Sequence, residues 1–148
     1  MDAVDLTHGK YLAVDYGDVR TGLAECDISG SVSTGIGTVK PGGMRRTAEY
    51  VAKEAATRDC RRIIIGLPKN MNGSQGSRAE AVRAFGDILR ELTDIPIDYY
   101  DERMTTMAAY RYMDEVGTFG KKRKNNIDTL SAEIILQDYL DAEKRKRP

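Results

Sequence analysis

A short apolar run near the start of the chain ends in an acidic residue and a glycine turn. The run is Tyr11 to Val14, and Asp15 and Gly17 follow it directly. An unbroken apolar run of this length is typical of a central β-strand that is buried on both faces. Ligands of open α/β sheets bind where such strands end. The junction therefore favours a fold that places the Asp15 carboxylate at a sheet edge, where it would meet a metal or a phosphate.

Two further acids lie at comparable junctions. The β-rich segment Ile97 to Asp101 ends in charged residues, which places Glu102 at a strand end. Asp128 is predicted to open the last helix, over residues 128–143, and it shares a helical stripe with Ala132, Ile135 and Tyr139. If that stripe packs on the sheet, Asp128 faces the sheet as well.

The order of predicted elements defines the fold class. Strands are predicted over residues 11–15, 22–26, 31–40, 62–66 and 97–101, and helices over residues 47–58, 79–92, 106–115 and 128–143. A tight turn is expected at Asp27 to Gly30. The order β-β-β-α-β-α-β-α-α describes a mixed five-stranded sheet, with three antiparallel strands followed by two parallel ones and helices on both faces. This is the ribonuclease H-like α/β arrangement.

Chain length and composition are those of one domain. The 148 residues suffice for a single domain over residues 10–143, with a flexible N-terminal segment 1–9 and a basic C-terminal tail 144–148. Without an apolar stretch that could span a membrane or serve as a secretory signal, we expect a cytoplasmic protein with no membrane partner. Cys26 and Cys60 belong to no metal-binding spacing and are predicted to be reduced, partly buried thiols. His8, the only histidine, lies in the N-terminal segment, so carboxylates must carry any acid–base or metal chemistry.

Charge is balanced overall but unevenly distributed. The formal net charge is zero, which argues against a protein that coats nucleic acid by bulk electrostatics. A basic block lies just before the last predicted helix and consists of Lys121, Lys122, Arg123 and Lys124. This block favours phosphate contact and an ordinary solvated loop equally, and the surrounding residues 116–126 are predicted to form a mobile loop. The polar loop after Gly66-Leu67-Pro68 feeds a helix N-terminus, which is suited to holding an anion.

Three acids at the ends of two strands and a helix match what a divalent-metal phosphoryl-transfer site needs. Mg²⁺ or Mn²⁺ takes oxygen ligands, and two such ions could activate a water and stabilise the leaving oxygen without a side-chain nucleophile. Each acid has a simpler alternative. Asp15 could cap the Gly17 turn, Glu102 could pair with Arg103, and Asp128 could be a helix N-cap.

The same residues carry a family resemblance over residues 10–140. The segments are Ala13-Val14-Asp15-Tyr16-Gly17 with Arg20-Thr21-Gly22, Gly66-Leu67-Pro68 with Asn72-Gly73, Asp101-Glu102-Arg103-Met104-Thr105-Thr106, and Asp128 with Ser131-Ala132, Ile135-Leu136 and Tyr139-Leu140. Together they resemble the YqgF family. That family is described as Holliday junction resolvases and as the nuclease that matures the 5′ end of pre-16S ribosomal RNA, on a ribonuclease H-like fold.

The resemblance implies roles for individual residues. Asp15, Glu102 and Asp128 would be the metal-binding acids. Residues in the same motifs would contact substrate phosphates, namely Arg20, Arg103, Asn72 and Gly73, with Lys69 as a weaker candidate. Glu133 departs from the small or apolar residue expected at its position, and we expect it to face solvent because it lies five residues after Asp128.

These observations rank four functions. The first is a divalent-metal-dependent endonuclease that processes precursor ribosomal RNA, acting as a monomer or weak homodimer. A Holliday junction resolvase ranks below it, because the chain has little excess positive charge for gripping two duplexes. A nucleic-acid-binding regulator without catalysis is a third reading. A sugar-kinase or actin-like ATPase is the fourth, and length argues against it, since two such domains clamp the nucleotide.

Overall fold

A computed structural model of the chain contains one five-stranded sheet between two layers of helices. It describes residues 8–17, 19–40, 42–68, 76–102 and 123–146, and for residues 123–128 it describes the backbone only. The strands are β1 (Lys10–Asp15), β2 (Thr21–Cys26), β3 (Ser33–Val39), β4 (Cys60–Leu67) and β5 (Ile97–Asp101). The helices are α1 (Met44–Thr57), α2 (Ser77–Leu92) and α3 (Arg123–Lys146). The predicted helix over residues 106–115 lies outside the described residues.

The sheet has the predicted mixed topology. Its strand order is β3-β2-β1-β4-β5, with β1–β2 and β2–β3 antiparallel and β1–β4 and β4–β5 parallel. The central strands β1 and β4 are the two most apolar runs, since they are covered on both faces. The predicted fold class is therefore confirmed.

Alternation along β1 divides the core into two layers. Leu12, Val14 and Tyr16 pack with α1 and α2 on one face of the sheet. Tyr11 and Ala13 face the other way and pack with α3. Successive side chains of a strand point to opposite faces of the sheet. This alternation shows which face each residue at the end of a strand occupies.

Helix α3 is held against the sheet at several points along its length. Ser33 Oγ donates to the Glu133 carbonyl oxygen at 2.9 Å, and the Gln137 side chain bonds the backbone of residues 31 and 33. Nearer its end, Tyr139 Oη donates to Asp98 Oδ2 at 2.8 Å and accepts from Arg62 Nη1 at 2.7 Å. Burial, with the Asp98 hydrogen bond, raises the pKa of the Tyr139 hydroxyl. These contacts fix the register of α3 on the sheet.

The structure corrects the predicted start of the last helix. α3 begins at Arg123, five residues before Asp128, so Asp128 does not open the helix and is not its N-cap. Residues 123–126 are helical and do not belong to the predicted loop 116–126. The first turn, Arg-Lys-Asn-Asn, carries no apolar residue, so the hydrophobic period could not reveal it.

The ends of the domain and Glu133 also differ from expectation. α3 continues to Lys146, so residues 144–146 of the predicted tail are helical. His8, at the end of the segment predicted to be flexible, is packed beside the Tyr11 ring with centroids 4.4 Å apart. Glu133 is half-buried and lies against Gly35 of β3, because α3 crosses that strand. Cys26 and Cys60 are buried and free, as predicted.

Candidate functional site

Asp15 ends β1 at a turn that only glycine can complete. A Cβ on Gly17 would collide with the carbonyl oxygen of Arg20, so the chain folds back too closely for any side chain there. The Gly17 amide donates to Thr21 Oγ1 at 3.5 Å, and Thr21 is buried at the start of β2. The turn therefore fixes the backbone that carries the half-buried Asp15.

Helix α2 holds the residue after Asp15 from two sides. The Tyr16 ring stacks on Phe85, with centroids 4.5 Å apart and planes 18° from parallel. The Arg78 guanidinium donates from Nη2 to the Tyr16 carbonyl oxygen at 3.3 Å. Because Tyr16 is held by its ring and its carbonyl, Asp15 has little freedom to move along the sheet edge.

Gly66 separates the two strand-end acids. In the parallel pairing of β1 with β4, Val14 is opposite Ile65, which places Asp15 next to Gly66. On the other side, Glu102 Oε1 lies 3.3 Å from the point that a Gly66 Cβ would occupy. Alternation places Asp15 on the α3 side of the sheet, the side on which Ile135 of α3 lies over Gly66. Asp15 and Glu102 thus flank one glycine on the same face.

Asp128 lies in the second turn of α3. It precedes the buried Ala132 by four residues and Ile135 by seven, so it is about 10 Å along the helix axis from the residue that covers Gly66. Its side chain is outside the described residues. The structure therefore brings Asp15 and Glu102 together and places Asp128 on the helix that covers them.

The predicted phosphate-contacting residues fall mostly outside the described residues. These are Lys69, Asn72, Gly73, Arg103, Lys121 and Lys122. Arg123 and Lys124 are in the first turn of α3, with only their backbone described. Arg20 is half-buried and lies directly before β2, at the same end of the sheet as Asp15.

The described acids suit a divalent cation in their chemistry. Carboxylate oxygens are the ligands that Mg²⁺ and Mn²⁺ prefer. Gly66 has no side chain, which lets the Glu102 carboxylate approach the backbone of β4 beside Ile135. Among the residues whose side chains are described, no three of His, Cys, Asp or Glu form a metal-binding group, and that set lacks Asp128. The two described acids fit a metal as part of a larger ligand set.

Comparison with known proteins identifies the family. The family model described as "RuvX: Holliday junction resolvase" matches residues 9–142. The chain belongs to this RuvX (YqgF) family. Relatives named "Putative pre-16S rRNA nuclease" include proteins of Heliobacterium modesticaldum, 38% identical over 90% of this chain and 89% of the relative, and of Caldanaerobacter subterraneus, 40% identical over 91% and 98%. A relative of the same name in Enterococcus faecalis is 40% identical over 92% and 99%. The family assignment made from sequence motifs is confirmed.

Solved structures confirm the fold. Thermus thermophilus RuvC in complex with a Holliday junction substrate superimposes with a TM-score of 0.61, at 14% identity over 94% of this chain and 98% of that one. A second T. thermophilus RuvC structure gives a TM-score of 0.55. No helix in the described ranges combines the length and apolar character needed to cross a bilayer.

The structure gives two residues a part in the site that the sequence patterns do not show. Arg78 was missed because its bond to the Tyr16 carbonyl joins residues 62 positions apart. The sequence predicts Gly66 at the end of a strand, and in the structure its lack of a side chain also makes room for Glu102 and Ile135. An arginine in the first turn of a helix, where a positive charge opposes the helix dipole, was the available signal for Arg78.

Proposed function

We propose that this chain is a divalent-metal-dependent endonuclease that hydrolyses phosphodiester bonds and matures the 5′ end of pre-16S ribosomal RNA. The observation that carries the proposal is the pair Asp15 and Glu102, which flank Gly66 on the face covered by α3. The membership of the RuvX family and the nuclease names of its relatives support hydrolysis of nucleic acid.

In this proposal the metal ligands are Asp15, Glu102 and Asp128. Bound Mg²⁺ or Mn²⁺ would supply Lewis-acid stabilisation of the phosphate oxygens and a more acidic water. The protein's own contribution is to hold the carboxylates rigidly. The Gly17 turn and the Tyr16 contacts fix Asp15, Glu102 directly follows β5, and Asp128 lies on α3, which packs on the sheet.

Cleavage of a pre-16S 5′-leader RNA in Mg²⁺ or Mn²⁺ tests this function. Wild-type protein should cleave the leader, and Asp15→Asn should lose activity by at least two orders of magnitude, since a neutral amide is a poor ligand for these ions. Asp94→Asn is the matched control, because Asp94 is exposed at the opposite end of the sheet and should retain full activity. Equal cleavage by wild type and Asp15→Asn would remove Asp15 from the mechanism.

The second candidate is a Holliday junction resolvase, which the family description and the RuvC-like fold favour. A resolvase acts on two strands, so it predicts tight, structure-selective binding of a four-way junction and paired, symmetric nicks. Competition between labelled junction DNA and leader RNA separates the candidates. Preference for RNA with a single cleavage site supports maturation, and paired nicks in the junction would reverse the ranking.

A further inference from the structure

Three exposed cations lie together where β3 ends and α1 begins: Lys40, Arg45 and Arg46. Val39, the last residue of β3, pairs with Thr21 at the start of β2, and Asp15 pairs with Gly22. The three cations, called here the β3–α1 cluster, therefore lie at the same edge of the sheet as Asp15. Two strand spacings, about 10 Å, separate the ends of β3 and β1.

Helix energetics do not account for two of these cations. Arg45 and Arg46 occupy the first turn of α1, which has no acidic residue and no side-chain cap. A positive charge there opposes the helix dipole. In α2 the basic Arg78 shares the first turn with the acidic Glu80, whereas the first turn of α3, like that of α1, has basic residues and no acidic one. Sequences that break a local rule often do so at functional positions.

The cluster also differs from Arg58 and Arg62 at the opposite end of the sheet. There, Arg58 pairs with Glu25 and Glu54, and Arg62 pairs with Glu143. Within the described ranges, no carboxylate forms an ion pair with Lys40, Arg45 or Arg46. The positive charge of the cluster is thus presented to solvent on the edge that carries the candidate catalytic acids.

We propose that the β3–α1 cluster binds backbone phosphates of the nucleic-acid strand that flanks the cleavage site, an inference that rests on the proposed function. Exposed cations near the candidate acids would add affinity for a polyanion by neutralising its phosphates. The separation of about 10 Å between the cluster and Asp15 corresponds to a few phosphates along one nucleic-acid strand. Helix α1 and the carboxylates lie on opposite faces of the sheet. The bound nucleic acid therefore passes over the ends of β1 and β2 on its way from Asp15 to the cluster.

The salt dependence of binding tests the proposal. The parent protein is the inactive Asp15→Asn variant, which cannot cleave the RNA during the measurement. Binding of a fluorescent pre-16S leader RNA is measured between about 50 and 200 mM salt, a range that includes physiological ionic strength. Neutralising the cluster with Lys40→Gln, Arg45→Gln and Arg46→Gln should reduce the slope of log K against log salt by about 2, which is three contacts at about 0.7 each. Affinity at the lowest salt should fall at least tenfold.

A matched variant controls for the loss of charge. Lys144→Gln, Arg145→Gln and Lys146→Gln remove the same charge from exposed positions at the far end of α3 and should leave the slope near the parent value. The cluster variant should melt no lower than its parent, because it removes the repulsion in the first turn of α1. A parental slope in the cluster variant, or an equal change in both variants, would overturn the proposal.

The same experiment separates this inference from the proposed function. RNA binding with the predicted slope change but no cleavage by the wild-type protein would refute the nuclease and keep the cluster. Cleavage by wild type with an unchanged slope in the cluster variant would keep the nuclease and refute the cluster. Absence of RNA binding by the parent would refute the cluster directly.

Discussion

Replacing Gly66 with alanine would perturb Glu102 and Ile135 through a single methyl group. The new Cβ would lie 2.5 Å from Ile135 Cδ1 and 3.3 Å from Glu102 Oε1. Carbon atoms prefer separations of about 3.5–4.0 Å, so the buried Ile135 must move by about 1 Å. Overpacking of this kind costs about 1–3 kcal/mol in the free energy of unfolding. A chain of this size should lose about 2–4 °C in Tm for each kcal/mol, measurable by calorimetry.

The same substitution should reduce activity by more than its effect on stability explains. Glu102 must shift by a few tenths of an ångström or more to relieve its contact with the new methyl group. Misplacement of a reacting group by about 1 Å can cost roughly 100-fold, so we expect cleavage of the leader RNA to fall about 10- to 100-fold. The assay is run well below the Tm, where the variant is folded.

Gly86→Ala is the matched control for Gly66→Ala. It adds the same methyl group on the opposite face of the sheet, where the Cβ would collide with the Tyr99 hydroxyl. Gly86→Ala should lower the Tm but retain near-wild-type activity, since its new methyl group lies on the face of the sheet away from the Glu102 carboxylate. If the two folded variants cleave RNA equally well, the reasoning about Gly66 is refuted.

A double variant separates packing from positioning. Ile135→Val removes the Cδ1 atom that the new methyl group meets, at a cost of about 0.5–1.5 kcal/mol on its own. Gly66→Ala with Ile135→Val should therefore be less destabilised than the sum of the single changes. Its activity should stay low, because the Glu102 contact remains. Full recovery of activity would show that Ile135, and not Glu102, transmits the effect.

Three further predictions concern other parts of the molecule. Arg78→Gln should raise the Mn²⁺ concentration needed for half-maximal cleavage several-fold, because the Tyr16 carbonyl loses its support; an unchanged requirement would contradict this. Burial raises the pKa of the Cys60 thiol to about 11 from 9.0, so stability should fall as the pH rises from about 9 to 11, and Cys60→Ala should flatten this loss in pH-dependent denaturation. Tyr139→Phe should cost about 1–2 kcal/mol in urea unfolding without loss of activity, since it leaves Arg62 and Asp98 each short of a hydrogen bond; an equal loss of activity would contradict its structural role.

The strands that carry the site could be predicted because their signal is local. The apolar runs of β1 and β4 and the β-rich run of β5 locate their strand ends within two residues of the observed ones. Parallel pairing of β1 with β4 and of β4 with β5 then brings Asp15 and Glu102 to one edge. The alternation of side chains along β1 then places Asp15 on the face covered by α3. The placement of Asp15 and Glu102 at one edge could therefore be predicted from patterns of a few residues, and their role as metal ligands stays a prediction.

Other features depend on contacts that no local pattern carries. The first turn of α3 is Arg-Lys-Asn-Asn, which has no apolar period, so the helix start could not be located. The Arg78 bond to Tyr16 and the close approach of Ile135 to Gly66 join distant segments. Glu133 was expected in solvent because helix periodicity defines one buried face, whereas α3 also crosses β3 on its flank.

The most direct test of the metal site is anomalous diffraction from a crystal soaked in Mn²⁺. We predict a peak bound by carboxylate oxygens of Asp15, Glu102 and Asp128, and its loss in Glu102→Gln crystals. Well-ordered crystals with no peak between these residues, or with the Asp128 carboxylate directed away from the other two, would contradict the proposed metal-dependent hydrolysis.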